Sequence, residues 1–177
     1  MPRTFFETPA PGCVMSRKAG VAVDRIVIHT MQGTFNGSIT YFKDGTRSVL
    51  TCAHYLTSRA GDICQMVDDE KKCYHANDYN SRSIGIEHEA YIGTWPVRKG
   101  PDGTIKTPPF PANEFPEPML VSSALVAAKM CKKFGIPIDR THIIGHNEVP
   151  GASHTDPGVN WPWDHYMDLV RTQFAAL

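Results

Sequence analysis

Three residues of the sequence have the types and positions needed to bind a catalytic metal ion. His29 ends the short run RIVIH, His146 ends a second short apolar segment, and Asp156 follows ten residues later. Two imidazoles and a carboxylate supply three ligands and leave a fourth position open for water, as catalytic rather than structural zinc sites do. These ligand types suit zinc, although iron and manganese are also compatible with them. We therefore expect one catalytic metal ion, Zn²⁺.

Glu87 is the residue predicted to move protons at this site. It belongs to the segment IGIEHE, where the two-residue period of a strand places it on the face opposite Ile86 and His88. An apolar setting raises the pKa of a carboxyl group toward neutrality, which suits it to accept a proton from water and pass it to a leaving amine. His88, which faces away from Glu87, is predicted to be structural.

Short strands and amphipathic helices are predicted to position these residues. Apolar runs and turn residues predict strands over 25–29, 84–89 and 142–145, and a hairpin of 50–56 and 62–67 around the turn TSRAG. Helical periodicity and capping residues predict helices over 37–42 (with Ser38 as the cap), 119–134 and 161–174. The expected fold class is α/β, with a central mixed β-sheet flanked by helices in a single domain.

A proline-rich segment, residues 95–118, holds half of the fourteen prolines. Its composition is typical of an interdomain linker. The residues that are predicted to act together lie on both sides of it, however, so we expect a long surface loop. The prediction is one catalytic domain, residues 1–177, with a core of about 23–175.

Composition excludes several classes of partner. Lys plus Arg and Asp plus Glu number 18 each, so no net charge attracts nucleic acid or an anionic membrane. No apolar stretch approaches a membrane span, and the first twenty residues lack the apolar run of a signal peptide. We expect a monomer without nucleic-acid or membrane partners, made in the cytoplasm or exported by signals outside this chain. The five cysteines form no CxxC pair, which favours reduced, buried thiols, with a Cys64–Cys73 disulfide as the minor alternative.

Six short motifs occur in order along the chain. They are IVIHT (26–30), CAHY (52–55), CYHAN (73–77), SIGIEHE (83–89), GHNEV (145–149) and HTDPG (154–158). Together they resemble the type 2 N-acetylmuramoyl-L-alanine amidases. That family includes phage endolysins, cytosolic muropeptide-recycling amidases and, more distantly, animal peptidoglycan recognition proteins. The resemblance runs from about residue 23 to residue 170.

The resemblance implies roles for individual residues. His29, His146 and Asp156 match the zinc ligands, and Glu87 matches the catalytic base. Many relatives carry cysteine at the position of Asp156. A lysine that stabilises the oxyanion often stands two residues before that ligand; here it is His154, a neutral hydrogen-bond donor, to which we assign the same role.

Other motif positions are predicted to lie at or near the substrate. One branch of the family places a catalytic tyrosine just before the histidine that matches His54; Ala53 stands there, so proton transfer is left to Glu87. His54, His75 and Asn77 match positions kept near the cleft and are predicted to contact substrate or support the site. Three tryptophans could stack on sugar rings, but core packing is the favoured interpretation for each: Trp95, Trp161 and Trp163.

The sequence thus predicts a zinc-dependent amidase that hydrolyses the lactyl amide between N-acetylmuramic acid and L-alanine of peptidoglycan. The preferred setting is a phage or prophage endolysin, made in the host cytoplasm and released to the cell wall; a recycling enzyme and a secreted autolysin are the alternatives. Two other functions stay open: a peptidoglycan-binding module without activity, and a zinc hydrolase that cuts another amide of the stem peptide.

Overall fold

Ten strands and three α-helices make up the fold in a computed structural model, which describes residues 2–93, 98–99, 105–106 and 109–177. The strands are β1 (Thr4–Phe6), β2 (Val14–Ser16), β3 (Arg25–Thr30), β4 (Tyr55–Thr57), β5 (Ile63–Gln65), β6 (Lys71–Cys73), β7 (Ser83–His88), β8 (Arg98–Lys99), β9 (Ile105–Lys106) and β10 (Ile143–Gly145). The helices are α1 (Phe35–Lys43), α2 (Glu117–Phe134) and α3 (Trp163–Ala175), and two 3-10 helices span Asn77–Tyr79 and His146–Glu148.

The central sheet is mixed, as predicted. Its six strands lie in the order β1–β5–β4–β7–β3–β10, and β4–β5 is the only antiparallel pair among them. Two small antiparallel pairs, β2–β6 and β8–β9, lie outside it. Strands β3 and β7 are parallel neighbours inside the sheet, so the residues at their carboxyl ends lie at the same end of the sheet.

One face of the sheet forms the larger hydrophobic core. The isoleucines of β3 and β7 pack there against α2 and α3, and all four are fully buried: Ile26, Ile28, Ile84 and Ile86. Burying a side chain of this size stabilises the fold by about 1.5–3 kcal/mol. This core fixes the two strands that carry His29 and Glu87.

The opposite face packs against α1. Phe35, Ile39 and Phe42 of that helix lie in a second cluster with Leu56 and Cys64 of the sheet. The helix begins earlier than predicted, because the side chain of Thr34 rather than that of Ser38 accepts the hydrogen bond from the Gly37 amide. Ser38 is inside the helix and buried.

The other helices agree with the periodicity within a few residues. α2 begins two residues before the predicted start, with Pro118 in its first turn, and ends at Gly135, whose φ of 69° only glycine adopts readily. α3 begins at Trp163, two residues later than predicted, because Pro162 stands at its N-cap position. Across the part of the chain that is described, no helix is long and apolar enough to cross a membrane.

The predicted hairpin is shorter than expected. Only Tyr55–Thr57 and Ile63–Gln65 pair across the TSRAG turn. Sequence reasoning also missed β1 and β2, which are three residues each and too short for a periodic pattern. Part of the proline-rich segment (residues 95–97, 100–104 and 107–108, including Trp95) lies outside the described residues.

All five cysteines are buried and unpaired. The alternative of a Cys64–Cys73 disulfide is therefore wrong: Cys64 lies on β5 of the central sheet, whereas Cys73 lies on β6 of a separate pair. The expectation of reduced thiols agrees with this arrangement.

Candidate metal centre and cleft

The structure brings the three predicted metal ligands together. Nδ1 of His29 lies 3.1 Å from Oδ2 of Asp156, and Nδ1 of His146 lies 3.2 Å from Oδ1 of the same carboxylate. All three residues are buried, and their ligand atoms lie within 4.8 Å of one another. One cation could therefore reach two imidazoles and a carboxylate from three separate segments of the chain.

Strand pairing and one glycine explain why these segments meet. β10 runs parallel to β3 with Gly145 opposite Ile28, so His146 follows β10 at the level of His29. A Cβ on Gly145 would lie 2.4 Å from Oδ1 of Asn147, so the chain passes where only glycine fits. The Asn147 amide donates to the carbonyl of Asp156 at 2.9 Å, which docks the ligand loop against the end of the strand.

The protonation states of the ligands suit a metal. Burial lowers the pKa of His29, so its imidazole is neutral. Burial alone would raise the pKa of Asp156, but its contacts with His146 and His29 outweigh this and hold the pKa below its ordinary value. Neutral imidazoles and an ionised carboxylate are the forms that bind zinc, so the residues present fit the ion.

Glu87 stands beside the three ligands. It is the register partner of His29 across β3 and β7. Its Oε2 is buried and has no hydrogen-bond partner among the described residues. Burial, and then the charge of Asp156, raise the pKa of Glu87 well above its ordinary value. An unpartnered buried carboxyl group is costly to maintain, which is typical of a residue kept for chemistry.

His75 contacts the proposed ligand His29 but is not itself one of the three ligands. Its Nδ1 lies 3.1 Å from Nε2 of His29, the ring nitrogen that points away from Asp156. Its Nε2 lies 3.2 Å from Oγ of Ser83. A Cβ on Gly85 would lie 2.5 Å from Nδ1 of His75, so this glycine makes room for the ring. His75 is thereby held where it can orient His29.

His54 does not reach the cleft, so of its two predicted roles the structure favours support of the site over contact with substrate. Its side chain is fully buried. Nδ1 accepts a hydrogen bond from the Gly85 amide at 3.0 Å, and Nε2 lies 3.0 Å from the carbonyl of Lys71. Backbone groups thus satisfy both ring nitrogens, and His54 supports the strand beneath the site.

A second group of potential ligands lies next to the first. Atoms of His54, Cys73 and His75 lie within 4.8 Å of one another. A metal there would have to displace the Gly85 amide from Nδ1 of His54, and burial raises the pKa of the Cys73 thiol well above its ordinary value. The first group is therefore the better candidate, because its anionic ligand, Asp156, is already ionised whereas the Cys73 thiol is not.

His154 and Asn77 lie at the rim. The ring of His154 stacks on that of His146, with centroids 4.4 Å apart and an interplanar angle of 18°. Its side chain is 62% exposed, and its Nδ1 is 3.7 Å from Oδ1 of Asp156. Asn77 is exposed at the start of a 3-10 helix, with a φ of 48°. Both face the cleft, as the prediction of oxyanion and substrate contacts requires.

These residues open into a cleft of about 1340 Å³. Sequence reasoning missed its far wall, which α1 and the loop after it form through Tyr41, Val49 and Leu50. The exposed fractions of Tyr41 and Val49, 54% and 68%, are high for large apolar side chains, which is typical of a binding surface. No periodic signal marks this loop. Trp161, by contrast, is buried in the core as favoured, and Trp163 packs against the same cluster.

Comparison with known proteins gives a consistent picture. The family model described as N-acetylmuramoyl-L-alanine amidase matches residues 19–159. N-acetylmuramoyl-L-alanine amidase A of Achromobacter lyticus is 28% identical to this chain over 167 residues, which cover 82% of each protein.

Solved structures share the fold. A selenomethionine derivative of AmpD superposes with a TM-score of 0.72 at 19% identity, covering 96% of this chain and 94% of that one. The amidase AmiD from E. coli, solved with anhydro-N-acetylmuramic acid-L-Ala-D-gamma-Glu-L-Lys as substrate, has a TM-score of 0.64 at 20% identity. That match covers 88% of this chain and 60% of AmiD.

Proposed function

This chain belongs to the N-acetylmuramoyl-L-alanine amidase family, and we propose that it hydrolyses the lactyl amide of peptidoglycan with one zinc ion held by His29, His146 and Asp156. The observation that carries the proposal is the convergence of these three buried groups beside an unpartnered carboxyl group, Glu87. Three ligands leave a position for water and substrate, which is the arrangement of a hydrolytic zinc site.

The residues around the ion have separate roles in this mechanism. Zinc, when bound, would supply Lewis acidity that polarises the amide carbonyl and makes a proton of the attacking water easier to remove at neutral pH. Glu87 accepts the proton of the attacking water and delivers it to the nitrogen of L-alanine as the carbon–nitrogen bond breaks. The pKa of Glu87 is raised by burial, and a nearby dication lowers it again, so the carboxylate form is available.

His154 stabilises the negative charge that develops on the carbonyl oxygen. Its ring stacks on His146 and remains exposed to the cleft, so a ring N–H can donate to that oxygen. Asn77 and His75 also line the cleft. We assign Asn77 to substrate binding and His75 to the support of His29.

The proposed substrate is peptidoglycan or a muropeptide cut from it. The AmiD complex supports this choice, because its substrate contains the link between N-acetylmuramic acid and L-alanine. The cleft exceeds the usual range of about 300–1,000 Å³ for small-ligand sites, so it can hold a sugar together with several residues of the stem peptide.

We further propose that the protein is a monomeric phage or prophage endolysin. Endolysins are among the structures that share its fold, which supports this setting. A comparison of rates on intact sacculi and on soluble anhydro-muropeptides tests it. An endolysin degrades sacculi efficiently, whereas a recycling enzyme prefers the soluble fragments.

The decisive experiment is peptidoglycan hydrolysis by the metal-free protein as zinc is restored in steps. The proposal expects no activity without metal, activity that saturates near one zinc per chain, and a new N-terminal L-alanine found by mass spectrometry. Binding of peptidoglycan without hydrolysis would identify a binding module. Hydrolysis that exposes a different N-terminus would assign the enzyme to another amide of the stem peptide.

A further inference from the structure

A hydrogen-bonded series of buried polar groups lies behind the proposed metal centre, on the face of the sheet that packs against α2 and α3. Nδ1 of His88 lies 2.7 Å from the carbonyl oxygen of His29. Nε2 of His88 lies 2.6 Å from Oγ of Ser123 in α2, and that Oγ lies 2.7 Å from the hydroxyl of Tyr166 in α3. All three side chains are fully buried.

The donor and acceptor chemistry of these groups determines the direction of each hydrogen bond in the series. A carbonyl oxygen only accepts, so the hydrogen between His88 and His29 must be on Nδ1 of His88. The ring is fully buried against Trp161, with no carboxylate of the described residues beside it, so the ring is neutral and its Nε2 is an acceptor. Ser123 therefore donates to Nε2, and the Tyr166 hydroxyl donates to Ser123. Each hydrogen position is thereby assigned, and in every bond the acceptor is the group nearer to His29.

This hydrogen-bonded series ends at the backbone carbonyl of His29, one of the proposed metal ligands. The pairing of β3 with β10 ends at Ile28 and Gly145, so His29 lies one residue beyond that ladder. The His88 ring itself is packed edge to face against Trp161, with centroids 4.5 Å apart. A rigid, fully bonded ring of β7 thus donates to the His29 carbonyl on the β7 side of β3, at the level where β10 no longer pairs with β3.

We propose that His88, locked as the Nδ1–H tautomer by Ser123 and Tyr166, is a positioning residue that fixes the backbone of His29 and so the imidazole that binds zinc. The inference rests on the proposed function, because it needs a metal at His29. It adds a route from the two helices to the metal centre that the family's motifs do not carry, since Ser123 and Tyr166 lie outside all six.

A purely structural role would not require polar side chains at these three buried positions. Apolar side chains of similar shape can replace a buried hydrogen-bonded set at little cost, whereas one unpaired buried group costs about 1–3 kcal/mol. Partners that orient a metal ligand typically change metal affinity about 10–100-fold when they are lost. Zinc affinity, measured apart from stability, is therefore the quantity that separates the two roles.

The test compares His88→Asn with His88→Leu. The asparagine amide nitrogen is as many bonds from the backbone as Nδ1 and can still donate to His29, whereas leucine cannot. Zinc affinity is measured by competition with a chromophoric chelator, and the stability of each metal-free variant by thermal unfolding. We expect His88→Leu to weaken zinc binding about 10–100-fold and His88→Asn to weaken it only a few-fold.

Equal zinc affinity in folded wild type and folded His88→Leu would overturn the positioning role while leaving the proposed function intact. A wild-type protein that binds no zinc would overturn both. If His88→Leu does not fold, nitrogen-15 NMR of labelled wild-type protein still decides the tautomer. A proton on Nδ1 agrees with the proposal, and a proton on Nε2 contradicts it.

Discussion

Glu87 and His29 are register partners on neighbouring parallel strands, and both side chains point to the face of the sheet that opens into the cleft. The separation between the proposed base and the first metal ligand is therefore set by strand pairing rather than by a loop. The isoleucines on the reverse face hold both strands against α2 and α3. The site thus has the rigidity that catalysis by a positioned base requires.

Replacement of Glu87 by glutamine is expected to remove activity while leaving the metal in place. The amide has the shape of the carboxyl group but cannot accept the proton of water, and general-base catalysis is worth about 10²–10⁴-fold. Release of N-terminal L-alanine and zinc content are the measurements. Glu70→Gln, at an exposed carboxylate, is the matched control. Loss of zinc from Glu87→Gln would show that Glu87 is a ligand instead.

The Asp156 position is expected to accept a thiolate but not a methyl group. Asp156→Cys keeps an anionic ligand that zinc binds well, whereas Asp156→Ala leaves only two imidazoles. We expect near-stoichiometric zinc and measurable hydrolysis for the cysteine variant, and loss of both for the alanine variant. Zinc retained by Asp156→Ala would exclude Asp156 from the ligand set.

His154 is expected to act on the transition state without holding the metal. Loss of one oxyanion donor lowers kcat by about 10²–10³-fold, and a solvent-exposed donor lies at or below the lower end of this range. His154→Ala should therefore show reduced kcat with unchanged zinc content, and His154→Lys should retain activity. A KM effect alone would place His154 in substrate binding.

Gly85→Ala is expected to disturb the site through His75. The added Cβ would lie 2.5 Å from Nδ1 of that ring, so the ring must shift, and its 3.1 Å contact with His29 must change. Such overpacking costs about 1–3 kcal/mol of stability. Thermal unfolding measures the loss. Gly45→Ala is the control, because its nearest neighbour would be 3.7 Å away, and a variant as stable as this control would contradict the prediction.

The buried histidines are expected to make the metal-free protein sensitive to acid. Burial lowers the pKa of His54 and of His88 from 6.5 to about 3. Between these values the unfolded chain binds protons that the folded chain excludes. The contribution to stability is therefore complete above about pH 6.5 and is lost as the pH falls toward about 3, by up to ~1.4 kcal/mol per pH unit for each histidine.

Urea unfolding at about pH 7 and at about pH 5 measures this effect. His54→Asn, whose side-chain oxygen can still accept from the Gly85 amide, should show a shallower dependence on pH. Gly45→Ala, which changes no titratable group, should leave the dependence unchanged. An equal slope for all three proteins would contradict the assignment.

The centre of the site could be predicted from the sequence because strands impose a fixed alternation. The two-residue period placed Glu87 opposite Ile86 and His88, and the structure has the same arrangement. The helix from 117 to 134 was likewise visible from its apolar period and from the glycine that ends it. These signals are local, so one sequence is enough to reveal them.

The depth of each side chain could not be predicted in the same way. His54 and His75 occur in similar motifs, yet His54 is fully buried and His75 reaches the cleft. The difference depends on the Gly85 amide, which is 31 residues away from His54 in sequence. The wall at Tyr41 and Val49 was missed for a related reason, since its position follows from how α1 packs on the sheet.

Two of the proposed ligands that contact each other, His29 and Asp156, are separated by 127 residues. A zinc ion between them would act as a cross-link that ties the first quarter of the chain to its last part, much as a disulfide would. Whereas a disulfide also restricts the unfolded chain, an ion that binds only the folded form adds the free energy of its binding to that of folding. The same ion that activates water would then also stabilise the fold, and its removal would lower the stability of the whole domain as well as abolish activity.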